Sequence, residues 1–127
     1  MSDKSVAEKL QIKPGRSVLL MNPPASFEVL LGPLPEGVIL LQEEKQADII
    51  ILYTLNQVEL EAQLGQAKGL IRQGGMIWVA YYKGTAKVKT DIHRDSINAY
   101  ARTLGMVGVA MISIDQDWSA LRLKVEV

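Results

Sequence analysis

Four consecutive apolar residues, Val18-Leu19-Leu20-Met21, lie between two sharp backbone breaks, and no other feature constrains this chain as strongly. Pro14-Gly15 is a turn signal in front of the run, and Asn22-Pro23-Pro24 stops it behind. A short, solid apolar run with breaks at both ends reads as a strand buried on both faces, as in the middle of a parallel sheet. The turn after such a strand is where an open α/β sheet places its ligand. Here that turn, Asn22–Ser26, carries two prolines and no glycine. The fold is therefore easier to read than the ligand.

The flanking segments extend the pattern. Ser5-Val6-Ala7-Glu8 matches a capping box and predicts a short helix over Ser5–Gln11. The first strand is expected at Ser17–Met21. A helix over Pro24–Leu31 would carry proline in its first turn, where the missing N–H is harmless, and would end at Gly32-Pro33. Val38–Leu41 and the β-branched Ile49–Tyr53 read as strands two and three. Leu60, Leu64, Ala67 and Ile71 recur at helical spacing, predicting a helix over Asn56–Gln73 with Gly74 as its C-cap. Met76–Tyr82 reads as strand four, and Lys83–Thr90 as a polar connection. A helix over Ile92–Leu104, capped by Thr90 or Asp91, buries Ile97, Tyr100, Ala101 and Leu104. Val107–Ile114 and Trp118–Val127 read as strands five and six, and the short turn Asp115–Asp117 requires them to pair antiparallel. In strand six Leu121, Leu123 and Val125 alternate with Arg122, Lys124 and Glu126, which predicts one packed face and one wet face. Strands alternating with helices point to a mostly parallel sheet with helices on both faces.

Composition narrows the function classes. A length of 127 residues fits one domain. Lys and Arg number 14 and so do Asp and Glu, so the balanced charge gives no reason to expect nucleic acid or an anionic membrane as partner. The absence of cysteine excludes disulfides, thiol nucleophiles and thiolate metal sites. No metal site is expected, because His93 is the only histidine and no carboxylates cluster around it. Ser26 and Ser113 lack the context of a catalytic nucleophile. The opening MSDKSVAEKLQIKPG has no apolar core segment and does not read as a signal peptide, and no apolar run is long enough to span a bilayer. A cytoplasmic location is the default expectation.

Several stretches resemble the class I methyltransferases. Lys13-Pro14-Gly15 followed by Val18-Leu19-Leu20 looks like the approach to that family's first strand. Ala47-Asp48-Ile49-Ile50-Ile51-Leu52 looks like its fourth, and Ile71-Arg72-Gln73-Gly74-Gly75-Met76-Ile77-Trp78-Val79 like the run into its fifth. Leu104-Gly105-Met106 through Val125 is similar to its closing antiparallel pair. The resemblance covers nearly the whole chain. It implies a single three-layer Rossmann-like α/β domain of six mostly parallel strands, in the order 2-1-3-4-6-5 with a C-terminal antiparallel hairpin. The chain also resembles a set of short, uncharacterised bacterial proteins ending in a DWSA-x-R segment, here Asp117-Trp118-Ser119-Ala120-Leu121-Arg122, a likeness that brings no known activity.

Methyltransferases of this class hold S-adenosylmethionine through a glycine-rich turn after strand one. The matching positions here are Asn22-Pro23-Pro24-Ala25-Ser26, where two prolines remove two N–H donors and fix φ. No cofactor is therefore expected. Glu43 or Glu44 follows strand two, where the resemblance implies an acidic residue on the ribose hydroxyls. Asn22-Pro23-Pro24 also imitates the NPP motif of amino-group methyltransferases, but in those enzymes it follows the fourth strand.

Loops at the carboxyl ends of the strands make Asn22, Pro23, Glu43, Tyr53, Asn56, Tyr82 and Lys83 the candidate cleft. The plainer reading is that Asn56 caps a helix and the tyrosines fill the ends of the core with wet hydroxyls. Lys87, Lys89, His93 and Arg94, with Lys83 nearby, form a candidate anion site near the start of the last helix, or else a solvated loop. Trp78 and Trp118 read as packing residues, with Trp118 covering the hairpin end and lying close to Trp78 if strand six sits beside strand four. Two functions remain open: a non-catalytic module acting through a homodimer or a protein partner, and a protein or degenerate methyltransferase that binds a nucleotide-like or anionic ligand.

Overall fold

The computed structural model describes residues 5–25 and 27–126. Ser26 and Val127, placed above in a turn and at the end of a strand, lie outside the described residues. The elements run α1 (Val6–Lys9), β1 (Ser17–Met21), α2 (Phe27–Leu31), β2 (Ile39–Leu41), β3 (Ala47–Tyr53), α3 (Gln57–Leu70), β4 (Ile71–Tyr82), α4 (Arg94–Thr103), β5 (Met106–Ser113) and β6 (Trp118–Val125). They form a six-stranded sheet in the order β2-β1-β3-β4-β6-β5. The β1, β2, β3 and β4 pairings are parallel, while β6 runs antiparallel to both β4 and β5. This is the expected order and hairpin.

The solid apolar runs are explained by two cores, one on each face of the sheet. Val18, Leu20, Ile49, Ile51, Tyr53, Trp78 and Ala80 face α1 and α2, where Val6, Leu10, Phe27 and Leu31 cover them. Leu19, Ile50, Leu52, Ile77 and Val79 face α3 and α4, where Leu60, Leu64, Ala67, Ile97 and Ala101 cover them. Consecutive strand residues point to opposite faces, so a strand covered on both sides must be apolar at every position. Strand β6 behaves this way only at its start. Trp118, Ser119, Ala120 and Leu121 are all buried, and the alternation with wet positions begins at Arg122.

Caps and breaks follow local chemistry with instructive exceptions. Ser5 and Glu8 form the expected reciprocal capping box. Asn56 caps α3 through its Oδ1, which accepts the Glu59 N–H at 2.9 Å. The α4 cap is His93, not Thr90 or Asp91: its Nδ1 accepts the Asp95 N–H at 3.2 Å. Thr90 and Asp91 turn back to α3 instead. Thr90 Oγ1 donates to the Leu55 carbonyl at 2.7 Å, and Asp91 Oδ1 accepts the Gln57 N–H at 2.8 Å. Helix α2 begins at Phe27 rather than Pro24, because the Phe27 N–H closes a turn onto the Pro24 carbonyl at 3.0 Å.

Gly74 is not a C-cap. Helix α3 stops at Leu70, and Ile71 is already extended and paired with Ala47. Ile49 then pairs with Met76, so Arg72–Gly75 bulge out of β4, and Gly74 supplies the left-handed φ of 81° the bulge needs.

Beside the bulge, Asp48 ties β3 to β1. Its Oδ2 accepts the Ser17 N–H at 3.0 Å and the Ser17 hydroxyl at 3.1 Å, and its own N–H donates to Ser17 Oγ at 3.0 Å. The Ser17 backbone hydrogen bond is the main cause that holds this carboxyl below the usual range. The Ser17 hydroxyl, Arg72 and Arg16 add to it, and partial burial opposes it. A depressed folded value means the contribution is complete above the unfolded value near 3.8 and fades as pH falls through the folded one. Wild type is therefore expected to be more stable than Asp48→Asn at pH 6, with the gap in urea midpoint narrowing below about pH 4.

Candidate functional site

The carboxyl ends of β1, β3 and β4 and the start of β6 meet at one edge of the sheet, because Tyr82 at the end of β4 pairs with Trp118. A cavity of about 330 Å³ opens there. Its wall is aromatic: Tyr53, Tyr82 and Trp118 line it, with Pro24 and Leu55. The Tyr82 and Trp118 rings stack with centroids 4.0 Å apart, and Tyr53 meets Trp118 edge-on at 4.7 Å. Phe27 meets the other side of this group, 4.9 Å from Tyr53. The polar lining is Asn22, Glu59 and Gln63. Asn22 takes a left-handed φ of 57° after β1 and donates its side-chain amide to Gln63 Oε1 at 2.7 Å. Glu59 Oε1 accepts the Leu55 N–H at 2.9 Å, which fixes the carboxylate at the cavity mouth beside the α3 cap.

Tyr53 is only 2% exposed, and its hydroxyl is buried with no hydrogen-bond partner among the described residues. The wet hydroxyl expected at this position is thus a dry one. Burial, and after it the Asp115 carboxylate, push its pKa far above the usual phenol range. Such a phenol stays protonated and acts as a hydrogen-bonding group, not a base. Asp115 is itself fixed next to Trp118, its Oδ1 accepting the Asp117 and Trp118 N–H groups at 2.8 Å each. Trp118 therefore packs on the two tyrosines. Trp78 is fully buried on β4, where its indole donates to the Leu10 carbonyl at 3.0 Å.

Of the residues expected at the cleft, Asn22, Tyr53 and Tyr82 line the cavity together. Pro23 sits in the adjoining turn, Asn56 caps α3, and Glu43 is exposed on the loop after β2. Lys83 donates to Ser113 Oγ at 2.6 Å. The expected anion site stays dispersed. Lys87 is exposed, Lys89 reaches the Gly84 carbonyl at 3.4 Å, His93 is engaged as a cap, and Arg94 pairs with Asp95 at 3.6 Å. Glu59, Gln63 and Trp118 belong to the cleft but were not singled out for it. The signal for the first two was present: they are four residues apart at the start of a helix whose other face carries Leu60 and Leu64, so they share the outward side.

An adenosyl cofactor does not fit these residues. Pro23 and Pro24 have no amide N–H to offer, and the Asn22 amide is taken by Gln63. Glu44 is taken by the Gln66 side chain, and neither Glu43 nor Glu44 lines the cavity. Among the described residues no group of three or more His, Cys, Asp or Glu could hold a metal, and no helix is long and apolar enough to cross a membrane.

Sheet order, hairpin and cleft position together define a methyltransferase-like fold, and solved structures of the same shape agree. A DhpI–SAH complex superposes with a TM-score of 0.64 at 12% identity, over 96% of this chain and 83% of that one. The ribosomal protein L11 methylase of Lactobacillus delbrueckii subsp. bulgaricus gives 0.58 at 11% identity, over 96% of this chain and 75% of that one. Trm5b from Pyrococcus abyssi gives 0.58 at 17% identity, over 96% of this chain, which spans about half (48%) of that one. Identities this low establish the fold alone. No curated protein matches the sequence. A family model does, over residues 36–126: the chain belongs to the family described as a protein of unknown function, DUF3052.

Proposed function

We propose that this chain is a non-catalytic binding module that uses the methyltransferase-like scaffold to hold a small molecule in the cleft of Tyr53, Tyr82 and Trp118. The observation that carries this reading is the cavity itself, walled by Tyr53, Tyr82 and Trp118 with Asn22, Glu59 and Gln63 as its polar groups, at the carboxyl ends of the strands. Among the described residues the cavity lining offers no Ser, Thr, Cys, Lys or His, and so no nucleophile activated by a base. The DhpI neighbour is a complex with SAH, but the turn after β1 here lacks the amides for such a cofactor, which supports a different occupant.

A thermal-shift screen with S-adenosylmethionine, nucleotides, neutral heterocycles and organic cations tests this reading. A true ligand at 100 times its Kd adds about 2.7 kcal/mol of stability. Tyr82→Ala is expected to weaken that ligand by removing part of the aromatic wall. No shift with any compound overturns the binding reading, and a shift with S-adenosylmethionine overturns its non-catalytic part.

Association with a second copy is favoured by a separate observation. Strand β5 is an edge strand without a charged or proline residue, and Val109 and Met111 are 44% and 48% exposed on it. Edges of this kind pair with other strands unless blunted, and the bulge at Gly108–Ala110, where Asn98 takes the Gly108 N–H, interrupts only the first half of β5 and leaves Ala110–Ser113 without a blunting residue. Light scattering is expected to give a dimer mass that Val109→Lys reduces to a monomer.

A further inference from the structure

We infer that the cleft selects a compact organic cation, an alkylated ammonium, over neutral or anionic molecules of the same shape. The inference rests on the binding reading above and adds the charge and size of the occupant. Among the described residues Glu59 is the one charged residue that lines the cavity. Its Oε1 is committed to the Leu55 amide, and a carboxylate has further acceptor sites to turn toward a ligand. Asp115, locked beside Trp118 by two backbone amides, places a second negative charge behind the aromatic wall. Among the described residues no Lys, Arg or His lines the cavity. Lys83, the nearest basic residue in sequence to Tyr82, is turned to Ser113.

An anion entering this space would meet like charge without a cationic partner. A cation meets carboxylate charge and the electron-rich faces of Tyr and Trp, which attract ammonium groups most when the site is desolvated. The volume of about 330 Å³ lies at the small end of the ~300–1,000 Å³ span of ligand sites, which favours a compact cation over a dinucleotide.

Choline and its uncharged carbon isostere 3,3-dimethyl-1-butanol separate charge from shape. The chain has two tryptophans, and their indole N–H signals report both probes by NMR titration. Choline is expected to shift the Trp118 signal and leave that of Trp78, which is bonded to Leu10, in place. The alcohol is expected to bind about tenfold more weakly. Glu59→Gln keeps the oxygen that accepts the Leu55 amide and is expected to abolish the preference. Asp115→Asn, which likewise keeps its acceptor oxygen, is expected to reduce it, and serves if the first variant does not fold. Equal binding of both probes overturns the charge selection and leaves the cleft a binding site. Tighter binding of the anion 3,3-dimethylbutyrate overturns it as well. Silence from every probe overturns the cation inference, while the wider thermal screen decides separately whether the cleft binds anything.

Discussion

Trp78→Ala is expected to lower stability by about 3–5 kcal/mol, the largest effect of any single side chain here. Trp78 is fully buried in the middle of β4, between Val79 and Ile77 and opposite Ile51 and Arg122 in the neighbouring strands. It also ties the sheet to the end of the N-terminal helix, through Nε1 to the carbonyl of the capping residue Leu10 at 3.0 Å. Truncation removes the volume and leaves that carbonyl unpaired. A domain of ordinary stability holds only about 5–15 kcal/mol, so the alanine variant is close to unfolding. Trp78→Phe separates the two effects. It keeps most of the ring and deletes the donor, at an expected cost of about 1–3 kcal/mol. Hydrogen exchange should rise first over Val6–Ile12. Unchanged protection there would show that Leu10 has no need of the indole.

Gly75→Ala is expected to cost about 2–3 kcal/mol, although alanine adds a single methyl. A Cβ at Gly75 would fall inside van der Waals contact with the Asp48 carbonyl oxygen and 3.0 Å from the Arg72 carbonyl and the Ile71 Cδ1. The Asp48 carbonyl is backbone in β3 and cannot swing away. Two other glycines provide the contrast. Gly74 has open space around it but a φ of 81°, so alanine there costs about 1 kcal/mol through strain. Gly65 lies within α3 with nothing near it, and alanine there should stabilise by about 1 kcal/mol. Three urea melts with opposite signs would confirm that the Arg72–Gly75 bulge is sterically built. Equal costs at Gly74 and Gly75 would refute close packing as the cause.

The strands were legible because burial on both faces writes itself into composition. Val18–Met21 and Ile49–Tyr53 cannot be polar at any position once helices cover both sides of the sheet. The capping box at Ser5 and the cap at Asn56 were legible because each is a contact between residues three apart. The α4 cap misled because Thr90 and Asp91 are equally good local caps and were drawn away by Leu55 and Gln57, some 35 and 34 residues distant. Gly74-Gly75 misled for the same reason. A glycine after a helix usually ends it, but here Ile71 was already claimed by pairing with Ala47.

By itself the sequence determined which segments are strands and helices, the paired prolines that deny an amide cradle after β1, and the absence of thiol chemistry. Each depends on covalent structure or on neighbours a few residues apart. Only the tertiary structure decided that the Tyr53 hydroxyl is buried without a partner, that Trp118 stacks on Tyr82, and that Glu59 is the cleft's one charge among the described residues. Those facts depend on side chains brought together from β3, α3, β4 and β6. Burial and pairing at that distance are set by the packing of whole elements, which no local pattern of residues encodes.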